Sequence, residues 1–360
     1  MRPRTCHVVA ALVAGLLTMS LTSCERENRA AADSFTVGLL LPSRAVPRFE
    51  RSDKPLIEKR LKELCPHCAL EYANAEDDAT MQRQQMMSMI TKGVRVLILD
   101  AADTRALRSS VQEAHNAGVP VVAYDRLAEG PIAGYVSFDG AQVGRLQGEA
   151  LLKGMGDKAS GGNIVMMNGD PTSANAAWFR RGALSVITGK VNIARSYDIV
   201  GWSTQNAHAS MAAAVAALGP DRIGGVLAAN DGIAAGVISA LKSARVGKLP
   251  PVTGQDADLD AVRRIIKGEQ YMTVYKPFRT EAAAVASMAV ALGRGEGLRD
   301  IATTTTDSPT TRHIPSVLLT PRAVTVGNIK QTLVKDGVYT IDQICTGQLR
   351  PACDKAGLGR

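Results

Sequence analysis

The alternation of short apolar runs with amphipathic stretches most restricts how this 360-residue chain can fold. Residues 94–99 are continuously apolar, which is typical of a strand covered on both faces. The stretch before them, residues 80–91, places Met81 and Gln85 at helical spacing and closes at Gly93. The cycle recurs along the chain, and it predicts βαβ units around mainly parallel sheets.

The predicted elements form two half-chains of the same α/β type. Strands are predicted over residues 36–41, 70–72, 94–99, 119–123, 134–137, 162–167, 191–200, 225–228, 252–254 and 271–275. Helices are predicted over residues 54–63, 80–91, 104–117, 140–155, 173–187, 206–218, 232–243 and 259–267. With 46% hydrophobic residues and a mean hydropathy near zero, the chain is too long for one ordinary core, so we expect two soluble domains.

The charge pattern argues against nucleic acid as a partner. The formal net charge is +8, but the 42 basic and 34 acidic residues are interspersed along the chain. A phosphate-binding face would show blocks or a stripe of Lys and Arg, and the sequence has neither.

The N-terminus has the pattern of a secretory signal. Two arginines precede an apolar run over residues 8–21, and Leu-Thr-Ser-Cys ends at Cys24. The run is shorter than the roughly 20 residues that span a bilayer. The tetrapeptide resembles the lipobox of bacterial lipoproteins, which predicts a signal peptide over residues 1–23, an acylated Cys24 and a tether over residues 24–34. An ordinary cleaved signal is the alternative. Both interpretations predict an exported protein, which is either lipid-anchored at the outer face of the cytoplasmic membrane or periplasmic.

Of the six cysteines, Cys6 lies in the predicted signal peptide and Cys24 follows it. The other four form two close pairs, Cys65 with Cys68 and Cys345 with Cys353. In an oxidising compartment, two local disulfides are the economical interpretation. The first pair, Cys-Pro-His-Cys, also resembles the active-site motif of thiol oxidases, but in that fold the first Cys opens a helix. Here the pair ends a predicted helix, which favours a structural disulfide. The spacing of the second pair disfavours zinc.

Polar side chains follow many of the predicted strands. They are Arg44 and Arg48, with the aromatic Phe49 beside them; Tyr124, Asp125 and Arg126; Asn168, Asp170 and Asn175; Asn230 and Asp231; Gln255, Asp256 and Asp258; and Lys276. Single Asn or Asp residues at strand ends often cap helices instead. Ligands of parallel sheets nevertheless gather at these ends, and mixed donors and acceptors suit a ring of hydroxyl groups.

Five motifs carry a resemblance to a known family. They are Val-Ala-Tyr-Asp-Arg (122–126), Ala-Ala-Asn-Asp (228–231), Gly-Gln-Asp-Ala-Asp (254–258), Met-Thr-Val-Tyr-Lys-Pro (272–277) and Ser-Val-Leu-Leu-Thr-Pro (316–321). Over residues 36–339 the chain resembles the periplasmic sugar-binding proteins of ABC importers, and among them the D-xylose-binding proteins. The resemblance implies a monosaccharide ligand, membrane permease subunits as partners, a monomer, and no catalysis, cofactor, metal or nucleic acid.

The resemblance also implies an α/β fold of the type I periplasmic-binding-protein class. Two lobes, each a mainly parallel sheet flanked by helices, are joined by three hinge crossings. The crossings are expected near Asp139, residues 277–279 and residues 320–322. The first lobe would contain residues 35–139 and 279–320, and the second residues 140–278 and 321–360. A helix over 280–293 would return to the first lobe, and one over 328–335 to the second.

Nine residues match the ligand contacts of the family. They are Arg48, Phe49, Asp125, Arg126, Asn175, Trp202, Asn230, Asp256 and Lys276. Phe49 and Trp202 are the rings expected to stack on a sugar face, while core packing is favoured for Trp178. Ser173 and Asn206 stand where the family has an Asp and a second Trp, so the predicted ligand is D-xylose or a related aldose.

Other classes of protein fit less well. A repressor with the same two-lobed core needs a helix-turn-helix where the signal sequence lies. An enzyme would need a nucleophile with its base or a metal cluster, and neither is evident in the sequence. A thiol oxidoreductase would depend on one short motif. A role as the sugar-sensing partner of a chemoreceptor or sensor kinase uses the same binding site and stays open beside transport.

Overall fold

A computed structural model describes residues 34–359 of the chain. The predicted signal peptide, Cys24 and nearly all of the predicted tether lie outside the described residues. Within the described part, no helix combines the length and the apolar character needed to span a bilayer.

A seven-stranded sheet forms the first lobe. Its strands are β1 (Thr36–Leu41), β2 (Ala69–Asn74), β3 (Val96–Leu99), β4 (Val121–Tyr124), β5 (Gly134–Phe138), β10 (Thr304–Thr306) and β11 (Ile314–Leu319). The order is β10-β11-β5-β4-β3-β1-β2, and only β10 is antiparallel to its neighbour. The expectation of mainly parallel sheets is therefore confirmed.

Helices cover both faces of this sheet. They are α1 (Lys54–Leu64), α2 (Ala79–Thr91), α3 (Arg108–Asn116) and α9 (Phe278–Gly293). Alternation along β1 explains the two layers, because Leu39 belongs to the apolar cluster that contains Ile57 of α1, and Leu40 to the cluster that contains Met86 of α2.

A smaller sheet forms the second lobe. The parallel strands β6 (Asn163–Asn168), β7 (Asn192–Asp198) and β8 (Gly225–Ala228) lie in the order β7-β6-β8. The helices are α4 (Gly140–Met155), α5 (Ala174–Ile187), α6 (Thr204–Leu218), α7 (Asp231–Ser243) and α8 (Leu259–Ile266). Glycine brings α4 and α5 together: a Cβ at Gly144 would lie 2.0 Å from the carbonyl oxygen of Phe179.

The chain passes between the two sheets at three places. It leaves β5 at Asp139, whose backbone N–H donates to the carbonyl of Leu319 at 3.1 Å, and enters α4. It returns through residues 276–277, which join β9 (Thr273–Tyr275) to α9. It passes again through residues 320–321, which join β11 to β12 (Arg322–Val324), and β12 pairs antiparallel with β9.

Both predicted cysteine pairs are joined as disulfides in the structure. Cys65 directly follows the last residue of α1, so the first disulfide lies at the C-terminal end of a helix, as predicted. The second ties α10 (Ile341–Ile344) to α11 (Arg350–Lys355) inside an apolar cluster that also contains Leu333. Both pairs therefore serve as local structural links.

Several predicted element bounds were wrong. The predicted strand over 252–254 shortens to one bridge from Val252 to Val226, because the Thr253 hydroxyl bonds the backbone N–H and C=O of Ala228 in place of a ladder. The predicted helix over 104–117 begins only at Arg108, since the Asp103 carboxylate accepts from two backbone N–H groups of a preceding turn.

Two further bounds differ near the C-terminal half. The stretch predicted as a helix over 328–335 forms a π-helical turn, Lys330–Val334. The strand predicted over 271–275 is shortened to Thr273–Tyr275, since Tyr271 donates its backbone N–H to Val252 before the pairing with β12 begins.

Candidate functional site

A narrow cavity lies between the C-terminal ends of the strands of the two lobes. It is lined by Val46, Arg48, Phe49, Asp125, Arg126, Asn175, Phe179, Trp202, Asn230, Gln255, Asp256 and Lys276. The structure thus brings all nine residues of the predicted site together. Val46, Phe179 and Gln255 are additional.

Two aspartates occupy corresponding positions in the two lobes. Asp125 follows β4, and Asp256 follows the bridge at Val252. Each has a left-handed backbone, with φ of 53° and 93°, and each donates its backbone N–H at 2.9 Å to the adjacent strand, at Val136 and Val274. Asp tolerates this conformation better than bulky residues do. Both carboxylates are consequently directed from fixed backbone positions into the cavity.

Arg48 is the centre of a buried ionic network. Its Nε donates to Asp53 at 2.8 Å, one terminal nitrogen to Asp125 at 3.2 Å and the other to Glu281 at 2.8 Å. Burial alone would lower the pKa of Arg48, but Asp53, Asp125 and Glu281 together raise it well above its usual value. Arg48 therefore remains charged in the cavity wall, and all three donor directions are used.

Charges also pair across the cleft. Lys276 in the second lobe lies 2.8 Å from Asp256 and 3.7 Å from Asp125 in the first lobe, and Arg48 lies 3.8 Å from Asp256. Burial would raise the pKa of Asp125, but Arg48 and Lys276 hold it below its usual value. Asn175 adds a third link, since its Nδ2 donates to Asp125 at 3.3 Å. The lobes are therefore in contact through the side chains of the cavity itself.

Arg126 is held from behind the cavity. Its guanidinium lies 3.6 Å from the buried Asp100 and donates to the carbonyl of Ala101 at 3.2 Å. Each cation of the cavity thus has a carboxylate partner, so the lining offers no unpaired positive charge for an ionic ligand.

Two supporting carboxylates, Asp53 and Glu281, are absent from the sequence-based prediction. Glu281 is fully buried, and burial raises its pKa. A signal was available in the sequence, because residues 282–293 of the same helix contain no charged side chain, which makes the lone Glu281 unusual. Asp53 gave no comparable signal, since an Asp just before a helix is an ordinary cap.

Aromatic rings supply the apolar part of the lining. Trp202 is 6% exposed, and Phe179 meets it edge to face with the ring centroids 6.4 Å apart. Phe49 lies in the first lobe, under the guanidinium of Arg48 at 5.3 Å. Trp178 is half-buried outside the lining and packs on Tyr135 at 6.4 Å, as predicted for a packing role.

Six strand-end residues do not line the cavity. They are Arg44, Tyr124, Asn168, Asp170, Asp231 and Asp258. Asp231 instead accepts hydrogen bonds from Gln270, Thr273 and the backbone of Asp258, which joins α7 to the hinge strand β9. The side chains of Tyr124, Asn168 and Asp170 also hydrogen-bond outside the cavity lining, to Glu281, Asp198 and Thr172 respectively. These contacts give the residues a structural role.

Asp258 is expected to make stability depend on pH. Burial, followed by the charge of Asp256, raises its pKa to about 7. In the unfolded chain the carboxyl group of Asp258 loses its proton at about pH 4. The contribution of Asp258 to the stability of the fold is therefore fully present below about pH 4 and is lost as the pH rises to about 7. Asp258→Asn should abolish this loss, and denaturant unfolding between these two pH values measures it.

The exposed Asp221→Asn is the matched control and should leave the pH profile unchanged. Parallel profiles for wild type and Asp258→Asn would contradict the assignment of the titration to Asp258.

Comparison with known families matches residues 37–297 to the periplasmic binding protein domain. The chain belongs to the periplasmic binding protein family. Its fold is the type I fold of that family, as the sequence resemblance implied. Proteins of this family bind and carry solutes and are not enzymes.

Two curated relatives in this family cover nearly the whole chain. The multiple sugar-binding periplasmic receptor ChvE of Rhizobium radiobacter is 36% identical over 334 residues, which is 87% of this chain and 93% of the relative. The D-xylose-binding periplasmic protein of Escherichia coli K12 is 34% identical over 330 residues, 90% of this chain and 97% of the relative. The resemblance to this group of periplasmic binding proteins is therefore confirmed.

A solved structure agrees with the fold. The solute-binding protein of an ABC transporter from Clostridium phytofermentans, solved with bound β-D-glucose, superposes with a TM-score of 0.79 at 29% identity. The match covers 86% of this chain and 99% of that protein.

Proposed function

We propose that this protein is the sugar-binding component of an ABC-type importer, which binds D-xylose or a related aldose between its lobes and delivers it to the membrane permease. The main support for this proposal is the cavity, whose lining combines paired charges, carboxamides and aromatic rings. The names of the relatives support a sugar, and the solved neighbour supports transport by an ABC system. The nine matched residues are the proposed ligand contacts.

The ligand is proposed to be an uncharged monosaccharide. Hydroxyl groups donate and accept hydrogen bonds, so they fit a lining in which carboxylates lie beside guanidinium and ammonium groups. Because each cation of the cavity already has a carboxylate partner, a sugar acid would leave its own charge without compensation.

Closure of the lobes is the proposed mechanism. The first lobe (35–139 and 279–320) and the second (140–278 and 321–360) would move about the three crossings. Besides the ion pairs in the cavity, the backbone N–H of Thr104 donates to the carbonyl of Thr172 in the opposite lobe at 3.2 Å. A sugar that contacts both lobes binds the closed form better than the open form, so it shifts the population towards closure.

The proposal extends to the membrane anchor. Cleavage before Cys24 and acylation of its sulfur would hold the binding protein beside the permease, with residues 24–34 as the tether. Incorporation of labelled palmitate should occur in wild type and not in Cys24→Ser. An unlabelled wild-type chain would contradict the anchor and leave the ordinary cleaved signal.

A thermal-shift screen against pentoses, hexoses, sugar acids and disaccharides tests the binding function. A ligand at 100 times its dissociation constant adds about 2.7 kcal/mol to the stability of the folded state. We expect stabilisation by neutral monosaccharides, with D-xylose or a related aldose the strongest. No shift with any monosaccharide would overturn the proposal.

Gly169 makes room for the proposed stacking ring. A Cβ at this position would lie 2.0 Å from the ring of Trp202, so Gly169→Ala must displace the ring. We expect the substitution to weaken sugar binding by about tenfold, since a stacking contact contributes roughly 0.5–1.5 kcal/mol beyond area burial. Fluorescence titration measures the affinity. Gly247→Ala is the control because an added Cβ there meets nothing within 4 Å, and equal affinity in both variants would refute the role of Trp202.

A further inference from the structure

Gln255 belongs to the Gly-Gln-Asp-Ala-Asp motif and lines the cavity, but it is neither one of the nine predicted ligand contacts nor part of the paired charges. Its side chain lines the cavity and is 2% exposed. The backbone carbonyl oxygen of Gln255 accepts a hydrogen bond from the backbone N–H of Asp231 at 3.0 Å, which fixes the backbone at Gln255. The next residue, Asp256, has the left-handed φ of 93°. Two successive side chains of one loop therefore face the cavity, although residues in a regular strand would alternate.

The side-chain oxygen of Gln255 is buried and has no hydrogen-bond partner among residues 34–359. A buried carboxamide oxygen without a partner is costly, so native proteins seldom retain one without a ligand or a water to satisfy it. Because Gln255 lines the cavity, a molecule bound in the cavity is the candidate partner.

The other carboxamides of the cavity are partly occupied. Asn230 accepts the backbone N–H of Ile233 through its Oδ1 and so caps α7. Asn175 donates its Nδ2 to Asp125, and its own Oδ1 is buried without a partner in the described chain. Asn230 therefore retains its Nδ2 as a donor, whereas Asn175 and Gln255 retain acceptors. This pattern fits a ligand that donates to the second lobe at two points.

We propose that Gln255 is a specificity-determining residue, whose side-chain oxygen accepts a hydrogen bond from one hydroxyl of the bound sugar. The inference rests on the proposed sugar-binding function and deepens it. Because an analogue without that hydroxyl leaves the oxygen buried and unpaired, Gln255 selects against the corresponding deoxy sugar.

The test combines Gln255→Met with a set of monodeoxy analogues of the best monosaccharide, measured by isothermal titration calorimetry. Methionine has a similar length and no hydrogen-bonding carboxamide. We expect Gln255→Met to weaken binding of the parent sugar by about tenfold or more, and to leave the affinity for one deoxy analogue nearly unchanged. The ligand-free variant should unfold at the same or a higher denaturant concentration than wild type, because the unpaired oxygen has been removed.

A second variant separates recognition from folding. Gln255→Glu retains an acceptor oxygen, so it should still discriminate against the same deoxy analogue even where the charge beside Asp256 lowers the overall affinity. The exposed Gln205→Met is the control and should bind every analogue as wild type does. An equal loss for the parent and all deoxy sugars, or no loss, would overturn the role of Gln255 while the sugar-binding function stands. Failure of wild type to bind any monosaccharide would overturn both.

Discussion

Arg48→Ala is expected to lower the free energy of unfolding by about 3–5 kcal/mol, since a buried charge left without its partner carries this cost. The variant leaves Asp53 and Glu281 buried without the cation that lies 2.8 Å from each. Sugar binding should also be lost, because Asp125 would no longer be held by a first-lobe cation. Denaturant unfolding of the ligand-free protein at pH 7 measures the stability, and calorimetry the binding.

The pH dependence of the stability loss in Arg48→Ala provides a second test of the network. Burial already raises the pKa of Asp53 to about 6 in the presence of Arg48. Without Arg48, which lowers that pKa, the carboxylates would bind protons at higher pH still, so the stability deficit should shrink as the pH is lowered.

Arg312→Ala is the matched control for Arg48→Ala. Arg312 lies 2.8 Å from Asp307, and both side chains of this pair are exposed. Exposed pairs contribute at most about 1 kcal/mol, so the control should change stability little. If Arg48→Ala unfolds at the same denaturant concentration as Arg312→Ala, the network does not stabilise the fold as described.

Asp125→Asn is expected to weaken monosaccharide binding by at least about tenfold with the fold retained. Asparagine has nearly the same shape and tolerates the left-handed backbone at this position, so the substitution mainly removes the charge. The cations of Arg48 and Lys276 then lose an anion that lies between them. Lys276→Ala should have a comparable effect because it removes the cation nearest Asp256.

Titration calorimetry of both variants measures this loss, and circular dichroism verifies the fold. Asp157→Asn, at an exposed position, provides the comparison of equal chemistry. Affinities equal to wild type in both Asp125→Asn and Lys276→Ala would refute the proposed ligand contacts.

The composition of the cavity was predictable because its residues lie at strand ends. Asp125 directly follows an apolar run that is recognisable as a buried strand, and Asn230 lies two residues after another. Because the C-terminal ends of parallel strands lie at one edge of a sheet, such residues gather there. Motif resemblance then selected seven of these polar residues and added the two aromatic rings of Phe49 and Trp202. Local sequence alone did not separate Asp125 from Asp231, since both follow strands and only packing directs Asp231 into a structural network.

The supporting network was harder to predict because its contacts are distant in sequence. Arg48 and Glu281 are 233 residues apart and meet only because α9 returns to the first lobe after the second crossing. The unpaired side-chain oxygen of Gln255 is equally invisible in the sequence. The orientation of Gln255 in the cavity depends on the fold of its loop, in which the next residue has a left-handed backbone.

The sequence by itself determined the α/β class, the pairing of the cysteines and the residue types available for binding, because these depend on periodicity, on spacing and on short motifs. Tertiary structure decided how the charges are neutralised and which polar atoms remain without partners. Those properties depend on contacts between distant segments and on burial, which raises the cost of every unpaired group. The chemistry of the cavity is therefore a property of the two lobes together.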